Sequence, residues 1–323
     1  MSAGYSFSEY PWDMEEPDAR RNRLCTGPFT DPVRIGCRLE GASFLPAEVE
    51  PGDEIVVMAY NIERGLALDH LMERLRSPGD VPAPDIILVS EADRGCSRTG
   101  YRNVVRELAG ALGMCYVYGP EFIELPRCFG AGRRIDAPCE HGNGILSRYP
   151  LGNVRLIRHR KARSWHSLPQ RLLRIGEPRL GGRMAVAADA RIGDRYLRLY
   201  SVHFESGRGA EAYREDEARE LVEDAPSLAQ GVIIGGDMNT SAYLGDLREG
   251  TAADSATQAL AAAGYADAHA GLAPDERVTS PSGVVIDLIF GKGAAFTGAG
   301  VGSRGQWEGL SDHYPVWARV RLG

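Results

Sequence analysis

Residues 231–240 read GVIIGGDMNT. A short apolar run passes through two glycines and ends on Asp237 and Asn239. A run of this length bounded by glycine reads as a buried strand. Asp237 and Asn239 stand two apart, so in extended backbone their side chains are expected to point the same way. A strand-end Asp alone is usually a turn former or a helix cap. Its meaning depends on whether other strands end the same way.

They do. Working outward, apolar strand candidates end on Asn61 in VVMAYNIERG, on Glu91 in IILVSEADRG and on His203 in LYSVHFES. Asp287 lies in VVIDLIF, and the Asp312–His313 pair in GLSDHYPVW. With Asp237 and Asn239 these make six sites, more than capping explains. Glu91, Asp312 and the Asn61 amide are hard oxygen donors, a set that suits Mg²⁺ or Mn²⁺ rather than zinc. Of Asp237 and Asn239, one can align or deprotonate a water and the other can hold the water or a phosphate oxygen. His203 and His313 can donate where negative charge develops. Asp287 can orient an imidazole and set its tautomer.

The segments between these ends alternate in character. Strand patterns cover 54–60, 85–90, 115–119, 143–150, 153–159, 231–236, 284–290 and 313–322. Residues 183–204 read as a hairpin turning at Gly193–Asp194. Helical spacing covers 66–75, 101–112 with Gly113 as its C-cap, 209–225 and 254–264. The pattern predicts a layered α/β sandwich, two mixed sheets face to face with helices outside. Residues 1–52 are irregular and proline-punctuated, and are read as an N-terminal extension; residues 53–323 are read as one domain.

With 43% hydrophobic and 25% charged residues, the 323-residue chain has an ordinary globular composition. The first twenty residues lack a basic start followed by an apolar run, and no apolar stretch is long enough to cross a membrane. The six cysteines show no metal-finger spacing, so reduced thiols and a cytoplasmic location are expected. No coiled-coil heptads are visible, and a monomer is expected.

The net charge of −7 excludes a generally basic, nucleic-acid-coating surface. Locally the balance reverses: residues 155–183 carry nine Arg or Lys and one Glu. This stretch is either a solvated loop or an anion-binding rim, for which Arg158, Arg160, Lys161 and Arg163 are the candidates. Trp165 within it either stacks on substrate or pins the loop to the domain. Asn143, in HGNGILSRYP, either approaches the site or has a buried backbone partner.

The ordered set NIERG, VSEAD, SVHFES, GDMN, ID and SDH resembles the endonuclease/exonuclease/phosphatase superfamily over roughly residues 54–322. GDMN matches that group's GDxN. The group includes DNase I-like nucleases, neutral sphingomyelinases, inositol polyphosphate 5-phosphatases and deadenylases. The resemblance implies a four-layer αββα sandwich and metal-dependent phosphoester hydrolysis with Mg²⁺ or Mn²⁺. It implies Glu91 as principal metal ligand with Asn61 and Asp312, and Asp237 as the group that aligns water. Asn239 and His203 would contact phosphate, and His313 supported by Asp287 would act as base or transition-state stabiliser. His203 moves the chain away from the abasic-site nuclease branch. The expected substrate is a phosphodiester in a nucleic acid or a phospholipid headgroup, with an inositol-type phosphomonoesterase as the alternative. A catalytically silent binding module is disfavoured because the core polar residues are all present.

Overall fold

The structure, a computed structural model, describes residues 38–46, 52–126, 135–163, 165, 178–207, 209–225, 230–240 and 254–322. The first sheet contains β1 (Glu40–Ser43), β2 (Ile55–Arg64), β3 (Ile86–Arg94), β4 (Cys115–Glu124) and β5 (Cys139–Ser147), with β7 (Arg179–Gly181), β13 (Ala294–Val301) and β14 (Val316–Leu322). Its order is β1-β4-β5-β3-β2-β14-β13, with β7 on β4. The second sheet contains β6 (Leu151–Arg158), β8 (Met184–Ile192), β9 (Arg195–His203), β10 (Gly231–Asp237), β11 (Ala266–Asp267) and β12 (Asp287–Lys292). Its order is β11-β12-β10-β9-β8-β6. Both sheets are mixed: β2 runs parallel to β3, and β9 parallel to β10. A parallel pair needs a crossover, supplied here by helices α1 (Leu68–Arg76) and α3 (Glu211–Asp224).

The predicted layering is observed. Between the sheets lie Ile55, Val57, Ala59, Ile86, Leu88 and Ile145 from the first, with Leu197, Leu199, Ile233 and Ile289 from the second. The alternate residues of the first sheet, among them Met58, Tyr60, Ile87 and Val89, pack under α1 and α2 (Val104–Leu112). Those of the second, among them Tyr200, Val202 and Ile234, pack under α3 and α4 (Ser255–Ala262). A short helix α5 (Arg304–Trp307) precedes β14.

The period of two also delivers the polar residues. Ile55, Val57 and Ala59 continue by twos to Asn61; Leu197 and Leu199 continue through Ser201 to His203; Ile233 continues through Gly235 to Asp237. On antiparallel β12 and β5 the count runs backwards, from Ile289 to Asp287 and from Ile145 through Asn143 to His141. Each row is apolar where the sheets face each other and polar where they reach one end of the sandwich.

The two glycines of GVIIGG are required by neighbouring protein. A Cβ on Gly235 would lie 2.8 Å from Leu88 of the facing sheet. Gly236 has φ 147°, and a Cβ there would lie 2.0 Å from the Val202 carbonyl oxygen on β9. Gly236→Ala is therefore expected to destabilise the fold by about 1–3 kcal/mol or more, because backbone cannot move aside as a side chain can. A urea midpoint equal to wild type would contradict this reading.

Three expectations change. Glu40–Ser43, within the stretch assigned to the extension, forms edge strand β1 on β4, so part of that stretch belongs to the sheet. Strand β13 was not anticipated: its sequence, AAFTGAGV, is glycine-containing and lacks apolar alternation, and pairing with β14 recruits it. The thiol reading is corrected at two positions, because Cys96 and Cys139 form a disulfide. The β3–β5 register, with Arg94 opposite Glu140, brings the two cysteines together across 43 residues of sequence. Cys115 is free and buried, with burial pushing its thiol up to about 12. Cys25, Cys37 and Cys128 lie outside the described residues. Among the described residues no helix is long and apolar enough to cross a membrane.

Closing a loop of this length predicts that the bridge contributes about 2–4 kcal/mol. Adding reductant should lower the urea midpoint of wild type and leave Cys96→Ser/Cys139→Ser unaffected. An unchanged wild-type midpoint would remove the bridge from the stability of the fold.

Candidate active site

Two strands of the first sheet are bent at the site. The β2–β3 register slips between Asn61 and Arg64, and the β3–β5 register slips between Val89 and Ala92. Within these bulges Glu63, Arg64 and Glu91 adopt φ values of 45°, 66° and 54°. Such left-handed residues are uncommon outside glycine, and a bulge is a device for re-aiming a side chain. Here it leaves Glu91 in an ion pair with Arg64 at 3.2 Å. Burial works against the Glu91 charge, but Arg64 and then His141 and His203 outweigh it and hold the carboxyl well below the usual range.

The floor of the site is stitched across the two sheets. Ser90 Oγ donates to the Val202 carbonyl at 2.8 Å, and Ser201 Oγ to the Val89 carbonyl at 3.0 Å. Asn61 Nδ2 donates to Asp237 Oδ2 at 3.0 Å. Ser311 Oγ donates to the Asn61 carbonyl at 2.7 Å and accepts from the His313 amide, which anchors the SDH segment beside β2.

Asp237 is the common point. Besides Asn61, its Oδ2 faces His203 Nε2 at 3.5 Å and His313 Nε2 at 3.9 Å. Register alone places it between His203 on β9 and Asp287 on β12. Asn239 is brought here by a different route from the expected one. The strand ends at Asp237, and Asn239 takes a left-handed φ of 47°, so the two do not alternate along a strand. Instead the Asn239 amide donates to Asp237 Oδ1 at 2.9 Å, and Asn239 Nδ2 donates to the Phe204 carbonyl at 3.0 Å. This Asx-type turn couples the GDMN segment to the residue after His203.

His313 Nδ1 lies 2.7 Å from Asp287 Oδ2. Asp287 is fully buried, and burial raises its carboxyl. Burial disfavours the charged His313 ring, yet Asp287, Asp237 and Asp312 outweigh it and raise the imidazole. The arrangement fixes the ring and turns Nε2 towards Asp237 and Asp312, the latter at 4.0 Å.

Two further histidines are supported in the same way. His203 Nδ1 faces Glu121 Oε2 at 3.5 Å, and Glu121 accepts from Arg183 Nη1 at 2.6 Å. Burial opposes the Glu121 charge, but Arg183 and His203 prevail and hold it at about 2. His141 Nδ1 lies 3.1 Å from Asp93 Oδ1, and Asp93 accepts two hydrogen bonds from Arg98 at 2.6 and 2.8 Å. Sequence reading missed His141, Glu121 and Arg183. A signal for His141 existed: it is two residues before Asn143 in the same strand row. Glu121 sits at a bulge in β4, where no periodic count reaches it. Asn143 donates to the Met184 carbonyl at 3.4 Å, the backbone-partner alternative.

Glu91, Asn61 and Asp312 offer oxygen donors, and Asp312 is 56% exposed. Asp237 and Asp287 lie close by, so carboxylates gather at this end of the sandwich among the described residues. The donor set and its charge fit a hard divalent cation.

The basic segment is only partly described: residues 164 and 166–177 lie outside the described set. Arg160 pairs with Glu220 and Glu223 of α3, and Lys161 with Asp216 of the same helix. Arg158 donates to the Pro120 carbonyl and Arg163 to the Ser206 carbonyl, both at 3.0 Å. Trp165 packs edge-on against Phe122, 5.9 Å between centroids, with Arg179 and Arg183 over its ring. Trp165 is thereby packed against the domain.

The fold is shared with solved structures of low identity. An endonuclease/exonuclease/phosphatase from Beutenbergia cavernae aligns at 16% identity and TM-score 0.61, covering 84% of this chain and 72% of that one. The human Nocturnin catalytic domain aligns at 15% and 0.57, covering 85% and 97%. A humanized D. rerio TDP2 aligns at 16% and 0.55, covering 83% and 99%. No curated protein matches the sequence. The sequence itself matches the Endonuclease/Exonuclease/phosphatase family over residues 58–313, from β2 to the SDH histidine. The chain therefore belongs to that family, whose members are phosphoester hydrolases, typically metal-dependent.

Proposed function

We propose that this protein is a Mg²⁺- or Mn²⁺-dependent phosphodiesterase that works by in-line attack of an aligned water. The observation that carries the reading is the crowding of nitrogen donors on Asp237 Oδ2: Asn61 at 3.0 Å, His203 at 3.5 Å and His313 at 3.9 Å. A carboxylate gripped at both oxygens, with Asn239 on Oδ1, cannot rotate away from a water it holds. Asp237 aligns that water and takes its proton. His203 and His313, each backed by a carboxylate at Nδ1, present Nε2 to the phosphoryl oxygens as charge develops. Glu91, Asn61 and Asp312 would hold the divalent cation, which would supply positive charge against the phosphoryl group as negative charge develops there.

Charge balance favours a diester over a monoester. Among the described residues, four guanidinium groups at this end are paired with carboxylates: Arg64 with Glu91, Arg98 with Asp93, Arg179 with Glu124 and Arg183 with Glu121. A monoester carries about −1.5 to −2 at neutral pH and would call for further cations. A diester is a monoanion, which imidazole donors and a metal can serve. The diester of a nucleic acid or of a phospholipid headgroup is the substrate class.

The test is hydrolysis of bis-p-nitrophenyl phosphate and p-nitrophenyl phosphate side by side, with Mg²⁺, Mn²⁺ or EDTA. Diester cleavage abolished by EDTA is expected. Turnover of the monoester alone would replace this reading with a phosphomonoesterase, and turnover insensitive to EDTA would remove the metal from it.

A further inference from the structure

His141 is the cleft imidazole for which the reading above has no use. It is fully buried on β5, yet its Nε2 has no hydrogen-bond partner. A buried polar atom left unsatisfied is costly, so its presence asks for a partner. The ring is nonetheless held firmly. Asp93, which accepts two hydrogen bonds from Arg98, faces Nδ1 and leaves Nε2 as the ring atom without a partner. A carboxylate behind Nδ1 is the usual support of a metal-bound histidine, because it orients the ring and raises its basicity.

His203 is built the same way. Glu121, anchored by Arg183, faces its Nδ1, and its Nε2 lies 3.8 Å from Glu91 Oε1. One ligand atom each from Glu91, His141 and His203 lie within 4.8 Å of one another. Metal–ligand bonds of about 2.0–2.2 Å in a tetrahedral shell put ligand atoms roughly 3.5 Å apart, so the side chains must rotate inward by about 1 Å or less where the pair is His203 and Glu91, now 3.8 Å apart, and further where it is not.

We propose that Glu91, His141 and His203 form a nitrogen-rich divalent-cation site, distinct from the oxygen site of Asn61, Glu91 and Asp312 and sharing only Glu91 with it. Two imidazoles and one carboxylate favour Zn²⁺, Co²⁺ or Mn²⁺ over Mg²⁺, which prefers oxygen and retained water. The proposal takes Glu91 and His203 from the reading above and does not depend on hydrolysis; a His203 Nε2 bound to the cation has no N–H to donate, so this site is filled in place of the phosphate contact of His203 and not beside it.

The experiment is binding of Co²⁺ and Zn²⁺ to the full, metal-stripped chain, followed by visible absorption and by X-ray absorption at the metal edge. Wild type is expected to bind with two imidazoles in the coordination shell. His141→Gln should remove one imidazole, and Asp93→Asn, which keeps the ring, should weaken Zn²⁺ binding about 10–100-fold. His313→Gln should leave the imidazole count at two, which separates this site from Asp237, Asp287 and His313. The wild-type spectrum is decisive even if a variant fails to fold: an oxygen-only shell overturns the proposal. So does an unchanged imidazole count in folded His141→Gln. Mg²⁺-dependent diester cleavage by a chain with an oxygen-only shell would sink this site and leave the phosphodiesterase reading standing. Two bound imidazoles without hydrolysis would do the reverse.

Discussion

Asp237→Asn is expected to lower kcat/KM for bis-p-nitrophenyl phosphate by about 10³-fold or more, while leaving the urea midpoint unchanged or slightly raised. The two halves have different causes. Asparagine has the same shape but cannot take a proton from water, and loss of a positioned base costs about 10²–10⁴ in rate. The amide also turns a donor towards Asn61 Nδ2 and the two imidazoles, so the water loses its alignment as well. Stability moves the other way because Asp237 stands directly across the ladder from Asp287, with Glu91 close to the same His203 nitrogen. Removing one charge from such a cluster relieves repulsion, a common trade at active sites. Activity within a few-fold of wild type would take Asp237 out of its role. A large stability loss would mean that the inter-sheet stitch matters more than the charge.

The second large effect concerns the His313–Asp287 pair. His313→Ala is expected to reduce kcat about 10²–10⁴-fold, the range for loss of a positioned acid or base. Asp287→Asn should cost less, because the ring survives and only its orientation and charge support are lost. The double variant should be no slower than His313→Ala alone, since Asp287 reaches the reaction only through the ring. Additive losses would give Asp287 a separate task, for instance through its Oδ1, which has no hydrogen-bond partner. Asp287 is fully buried, so circular dichroism must accompany the kinetics of His313→Ala.

Much of the site was legible because one rule generates it. Side chains alternate along a strand, so an apolar row facing the other sheet becomes a polar row where the sheet ends. Asn61, His203 and Asp237 obey that rule, and their segments could be recognised from apolar runs alone. Asn239 was reached by the wrong argument, because the chain leaves the strand at Asp237 and turns left-handed. The bulges that aim Glu91 leave no periodic trace, since a slipped residue breaks the count that would reveal it. Arg160 and Lys161 read as free charge because their acidic partners lie on α3, more than fifty residues later.

The sequence by itself determined the class of fold, the end of the sandwich where polar residues gather and most of those residues. All of these follow from local periodicity and residue type. Tertiary structure alone decided which residues meet. It joined Cys96 to Cys139, backed His141, His203 and His313 each with its own carboxylate, bound α3 to Arg160 and Lys161 and set the unpartnered Nε2 of His141 beside Glu91 and His203. Those pairings cross between strands and sheets far apart in the chain. Their energies depend on burial and distance, quantities that exist only once the sheets have packed.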